Sequence, residues 1–231
     1  MAITTYAELK ATIADYLNRT DLTSVIPTFI DLAQAQIDRD LRHWQMEDRV
    51  TTTSTDRYIA RPSDWVQTKR LRITTGNTRA LELLSVAAMD ERRMNRANEA
   101  GTPKFYCHIE DQFEVFPSPN ASTTFELHYY KKIPALSDSN ASNFLLADAP
   151  DVYLYGSLLH SAPYLNDDQR MTVFAQLYAA SIKRLEDEGQ AAEFGVDGLR
   201  MRRRGLDTGL SRRIYSVSYT HLRAHETLVD L

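Results

Sequence analysis

The chain has one cysteine, Cys107, in 231 residues. A single thiol excludes an internal disulfide and any cysteine-rich zinc site, and it fits a reducing, intracellular folding environment. Glycine and proline are sparse, at eight each, as in an ordinary globular chain. No apolar run approaches the roughly 18 residues that a membrane-spanning helix requires. The opening MAITTYAELK is polar and helical in character, unlike a signal peptide, so no membrane contact is expected. A formal charge of −4 argues against a general nucleic-acid binder, whose footprint is basic, and leaves room only for a local basic patch.

Chemical motifs are missing as well. There is no glycine-rich phosphate loop, no G-x-S-x-G elbow and no H-E-x-x-H, and Tyr155-Gly156-Ser157 lacks the second glycine of a nucleophile elbow. His43, His108, His128 and His160 fall on different predicted elements without metal-ligand spacing, so each reads as an ordinary, partly buried side chain. Cys107 and His108 are neighbours on a predicted strand. Their side chains therefore point to opposite faces, and Cys107 reads as small apolar filling. An enzyme would need clustered acids or histidines in a pocket. No catalytic residue, cofactor or metal is expected.

What is present is patterning. With 43% hydrophobic and 25% charged residues, the chain is long enough for one or two globular domains. Thr5 or Thr4 caps a helix over 6–18, with Tyr6, Leu9, Ile13, Tyr16 and Leu17 on one side. A second helix covers 25–43, with Pro27 in its first turn and Ile26, Phe29, Ile30, Ala33, Ile37 and Leu41 at helical spacing. Its other face, Asp31, Gln34, Asp38, Arg39 and Arg42, reads as solvated. After Trp44 come short β-like segments at 47–53, 58–60, 66–74 and 79–83, with Ser54–Asp56 and Gly76–Asn77 as hairpin turns. Ser85 caps a short helix to about Asn95. Strands follow near 104–109, 112–116 and 123–130, the last two joined by a predicted hairpin at Pro117–Asn120.

A helix hairpin closes the pattern. Asp148 is the predicted N-cap of a helix over 150–164, and Pro163 with the LNDDQR turn separates it from a second over 167–188. Val173, Phe174, Leu177, Tyr178, Ser181, Ile182 and Leu185 form that second helix's predicted core face. The first helix is apolar over more than one stripe, which predicts contact on two sides, by its own core and by a neighbour. Tyr153, Tyr155, Leu158 and Leu159 are the candidate subunit-interface residues. The predicted fold is α+β: terminal helix pairs packed as a helical bundle, a central, mostly antiparallel β-sheet, and an extended C-terminal arm.

Four blocks in this order carry a resemblance: FIDLAQAQIDRDLR at 29–42, ARPSDWVQTKRLRI at 60–73, GTPKFY to FEVFPSP within 101–119, and HYYKKIPALS through PDVYLYGSLLHSAPYL within 128–165. The chain resembles the head-to-tail adaptor (connector, or head-completion) proteins of tailed bacteriophages. The resemblance spans about 6–185, and its order is more specific than any single block. It implies a structural virion protein, made in the host cytoplasm, that forms an oligomeric ring of about twelve copies, a dodecamer, beneath the portal protein. The ring would extend the double-stranded DNA channel without binding DNA specifically and offer a platform to tail or nozzle proteins. A ring needs two complementary surfaces on each copy.

On this reading, 1–189 is the adaptor core and 190–215 an extended basic arm. Leu199 and Met201 are candidate apolar anchors on the portal, and Arg200, Arg202, Arg203 and Arg204 candidate carboxylate partners. The alternative readings are a disordered basic tail and a nucleic-acid-binding module that uses the same arginine-rich arm. The last segment, 216–231, looks foreign. SVSYTHLRAHET at 216–227 resembles the in-frame translation of a sequencing-library adapter, so the metal-like spacing of His221 and His225 is set aside.

Overall fold

The chain enters its first helix through a capping box. The Thr5 hydroxyl accepts from the Glu8 amide at 3.3 Å, and the Glu8 carboxylate accepts in return from the Thr5 amide at 3.0 Å. The start of the helix is thereby satisfied by its own sequence. This helix, α1 (Tyr6–Leu17), buries Tyr6, Leu9 and Ile13 and ends at Asn18, whose φ of 51° is left-handed. Asparagine adopts that conformation more readily than most residues. The computed structural model describes residues 3–19, 21–76, 78–94, 99–165 and 168–194.

Helix α2 (Ile26–Asp40) starts with Pro27 in its first turn and buries Ile26, Phe29, Ile30, Ala33 and Ile37. It stops before the predicted His43, and a single 3-10 turn at Trp44–Met46 leads into the strands. Gln34, expected on a solvated face, is only 7% exposed because it is the acceptor for the Tyr153 hydroxyl across the bundle.

Among the described residues, eight strands follow, with one helix between them. They are β1 (Glu47–Ser54), β2 (Tyr58–Ala60), β3 (Trp65–Ile73), β4 (Arg79–Ala80) and β5 (Glu82–Leu83); then helix α3 (Val86–Met94); then β6 (Phe105–Ile109), β7 (Gln112–Phe116) and β8 (Thr123–Lys131). The predicted single sheet is two four-stranded sheets, ordered β1-β8-β3-β4 and β2-β7-β6-β5, and only the β5–β6 pair is parallel. Apolar side chains at alternate positions face each other between them: Leu71, Ile73, Phe125 and Leu127 from the first, Ile59, Tyr106, Phe113 and Val115 from the second. This two-faced arrangement corrects two predicted hairpins. Ser54–Asp56 joins β1 to β2, and Pro117–Asn120 joins β7 to β8, yet each links strands of different sheets. A short polar turn reverses the chain equally well within a sheet or between sheets, and the choice was made by which apolar faces had to meet. The β3–β4 hairpin forms as predicted, with Gly76 at φ 70°.

Helix α3 lies on the outer face of the second sheet. There Met89, Cys107 and Phe116 form a small apolar cluster, so Cys107 acts as filling. Beside it Glu114, 1% exposed, pairs with both Arg57 and Arg93. One carboxylate thus ties the helix, the sheet and the loop before β2.

The C-terminal helices are α4 (Phe144–Asp148), α5 (Pro150–Leu165) and α6 (Asp168–Phe194). The short α4 is capped by Asn143, whose side chain accepts from the Leu146 amide at 2.9 Å. Asp148 therefore closes α4 instead of capping α5, and its carboxylate accepts from Gln45 at 3.0 Å. Pro163 stays inside α5, in its last turn, at the cost of one backbone hydrogen bond. Helix α6 runs past Glu188 because Gly189 is no helix stop. A Cβ there would lie 3.3 Å from the His43 ring, so the glycine permits close packing. Residues 1–196 form one compact unit.

Replacing Glu114 by Ala leaves the Arg57 guanidinium without its carboxylate and Arg93 with Asp90 alone, at 3.3 Å. The expected loss is about 3 kcal/mol, as for other broken buried ion pairs, measured by urea unfolding. A loss below about 1 kcal/mol would mean that the pairs behave as solvated surface contacts.

Candidate assembly surface

The residues marked out for chemistry lie apart. His43, 6% exposed, packs against the Trp44 and Phe144 rings at centroid distances of 5.6 and 6.4 Å. His108 lies against Trp65 and Phe113 at 5.4 and 5.2 Å, and its Nδ1 is buried without a hydrogen-bond partner. His160 Nε2 is 2.9 Å from the Gln36 side-chain oxygen, and His128 Nε2 is 2.8 Å from the Glu47 carboxylate. Burial holds His43, His108 and His160 below the ordinary imidazole value. Burial also pushes the Cys107 thiol up, away from a reactive thiolate. Among the described residues, no group of three or more His, Cys, Asp or Glu is placed to hold a metal ion.

The candidate subunit-interface residues divide. Tyr153 and Leu158 are fully buried, whereas Tyr155 and Leu159 are half-buried. Helix α5 is apolar nearly all round because α1, α2, α4 and α6 of the same chain all pack on it. Tyr153 and Leu158 therefore belong to the protomer's own core and present no surface to a second copy. The portal-binding candidates Leu199, Arg200, Met201, Arg202, Arg203 and Arg204 lie outside the described residues.

An exposed apolar row lies instead on α6. Val173 and Leu177 are 52% and 38% exposed, and Ala180, the next position on that flank, is exposed too. The sequence reading placed Val173 and Leu177 in the core. The buried row is narrower, formed by Tyr178, Ser181, Ile182 and Leu185. The signal for the second row was present: the apolar stripe from Val173 to Leu185 is wider than one core face needs. The width argument applied to α5 holds for α6.

The outer face of the first sheet differs in character. Cross-strand register sets Arg49, His128 and Arg70 in one row and Thr51, Glu126 and Arg72 in the next. Glu126 is 2.6 Å from Arg72 and 3.6 Å from Arg49, and Glu47 takes Lys69 at 2.6 Å. One copy thus carries an apolar helical flank and an ionic sheet face, two surfaces of unlike chemistry. Comparison with known families finds a match of the same scale: the model of the SU10 adaptor protein family covers residues 4–204.

The chain belongs to the SU10 adaptor protein family. This is a family of phage head-to-tail adaptors, and it is a structural family, not an enzyme family. The adaptor is accordingly a bacteriophage virion component with a structural role. Comparison with curated proteins gave no match. No helix among the adaptor's described residues is long and apolar enough to cross a membrane.

His43, buried, and His108 and His160, partly buried, give the adaptor a pH dependence of definite sign. Their folded values are depressed, so below the unfolded value of about 6.5 the unfolded chain binds more protons. Their contribution is present above that value and is lost as pH falls through it. Urea midpoints should drop between pH 7.5 and 5.5, and a His108→Phe variant should flatten that slope. An unchanged slope in the variant would show that His108 titrates normally.

Proposed function

We propose that the adaptor assembles as a ring of about twelve copies beneath the portal, prolongs the DNA channel and presents a platform to tail or nozzle proteins. The observation that carries this reading is the family match over 4–204, supported by the two unlike surfaces of the protomer. A closed ring repeats one heterologous contact, in which one face meets a different face of the next copy. The α6 row of Val173, Leu177 and Ala180 supplies one such face, with the half-buried Tyr155 and Leu159 as further candidates. The adaptor is made in the host cytoplasm and becomes part of the virion.

Portal recognition is assigned to the basic segment. Of 27 Lys and Arg and 31 Asp and Glu, residues 195–231 hold 7 and 4, so the preceding 194 residues are net acidic. Leu199 and Met201 anchor, while Arg200, Arg202, Arg203 and Arg204 pair with portal carboxylates. DNA passes without specific contact, since a channel that lets DNA slide cannot grip phosphates strongly.

Mass photometry tests assembly. The adaptor alone, at low micromolar concentration, is expected to be monomeric, because its exposed apolar row is small for an obligate oligomer, and to form rings when purified portal is added. Stable dodecamers without portal would overturn the templating and leave the ring. Substituting Arg200, Arg202, Arg203 and Arg204 together by Ala, in a chain ending before Ser216, should weaken portal binding at least tenfold. Unchanged binding at equal ionic strength would move portal recognition to the helices.

A further inference from the structure

Strand β1 has a free side. Over Glu47–Ser54 it pairs with β8 alone, in unbroken register from Glu47↔Tyr130 to Ser54↔Thr123. Two bonds fix its phase. The Arg49 amide bonds the Asp48 carboxylate at 2.7 Å instead of β8, and the Thr74 amide reaches the Thr124 carbonyl from the β3 side at 2.9 Å. In an antiparallel ladder these alternate, so Val50 and Thr52 direct their backbone groups at β8 while Arg49, Thr51 and Thr53 direct theirs outward. Among the described residues, nothing takes up the outward N–H and C=O groups of Thr51 and Thr53.

Folded proteins blunt such edges with lysine, proline, bulges or shortness. Here Val50–Ser54 reads VTTTS, uncharged and strand-favouring, without a bulge. The other edge strands, β4, β5 and β2, are only two or three residues long, and the stretch of β3 that β4 leaves uncovered, Trp65–Arg70, is broken by register shifts. Alongside β1, a cleft of about 300 Å³ opens between Val50 and Thr52 on one side and Ile59 on the other, lined also by the core residues Phe113, Phe125 and Leu127. An open backbone edge and an apolar cleft next to it are what an added strand uses, the first for hydrogen bonds and the second for alternate side chains.

We propose that the outer edge of β1 receives an extended segment of a different virion protein as an additional strand, uncharged opposite Val50–Ser54 and with an apolar side chain seated in the cleft. A second adaptor copy does not fit. Its other edge strands are two or three residues long and the uncovered part of β3 is irregular, so none matches eight residues in unbroken register, and β1 against β1 is a two-fold contact that closes at two copies, not a ring. The inference rests on the reading that the adaptor bridges portal and tail.

The test is hydrogen–deuterium exchange of the full adaptor, free and bound to purified portal or to purified tail protein of the same phage. In the free adaptor the Thr51 and Thr53 amides should exchange within seconds, and in one of the two complexes they should slow at least a hundredfold. Thr51→Pro removes an outward N–H without touching the β1–β8 ladder, and Thr53→Lys adds a charge at the edge. Each should keep the thermal midpoint within a few degrees and weaken the protected complex at least tenfold. Complexes that form without protecting Thr51 and Thr53 overturn the proposal and leave the adaptor reading standing. Protection in the free chain that grows with adaptor concentration, or that disappears when the chain stops at Phe194, also overturns it, by naming a second copy or the chain's own terminus as the occupant. Absence of both complexes overturns the adaptor reading and this inference together.

Discussion

The helical half of the adaptor depends on one close contact. At Gly156 the backbone of α5 lets α2 and α6 approach together: a Cβ built there would lie 3.2 Å from the Ala33 Cβ and 3.4 Å from the Tyr178 ring. Even an alanine there would require Ala33 and Tyr178 to give by a few tenths of an ångström. Because the three helices meet there, the Tyr178 hydroxyl donates to Asp40 at 3.2 Å across from α6 to α2, and the Ser181 hydroxyl donates to Asp151 at 2.9 Å. Tyr153 lies buried between the same helices, donating to Gln34 and accepting from Asn143 at 2.8 Å. Buried hydroxyls are tolerable only when satisfied in this way. A glycine that costs helix propensity therefore sets the packing distance on which a polar network is strung.

The same geometry explains where assembly surfaces are found. A central helix packed by four others keeps little to offer a partner, here the half-buried Tyr155 and Leu159, however apolar its sequence. The peripheral helix α6 touches the bundle with one narrow row and leaves Val173 and Leu177 outside. In the sandwich, β8 hides its backbone between two neighbours, and the long edge strand β1 does not. Exposure follows from position in the layer, and for a structural adaptor the exposed features are where function lies.

Rigidity is distributed to match. The sandwich is fastened to α3 by Glu114 and its two arginines, and removing this buried carboxylate leaves Arg57 without its partner and Arg93 with Asp90 alone. The outer ionic lattice around Glu126 and Glu47 is more exposed and contributes modestly to stability. Its arginines and lysine are available for exchange with a partner's charges at small cost to the fold.

Local chemistry made much of the fold legible in advance. The Thr5–Glu8 capping box, Pro27, Gly76 and the period-two strands are decided within a few residues, so the elements could be placed from the chain alone. The four ordered sequence blocks likewise pointed to the adaptor family. Which elements meet is settled by contacts between residues far apart, and here the sequence was ambiguous. The turn at Ser54–Asp56 suits a hairpin or a crossover, the width of an apolar stripe does not say which row is covered, and Gln34 looks solvated until Tyr153 arrives from 119 positions away. Side chains know their periodicity but not their neighbours. Burial, the split into two sheets and the free edge of β1 therefore belonged to the tertiary structure.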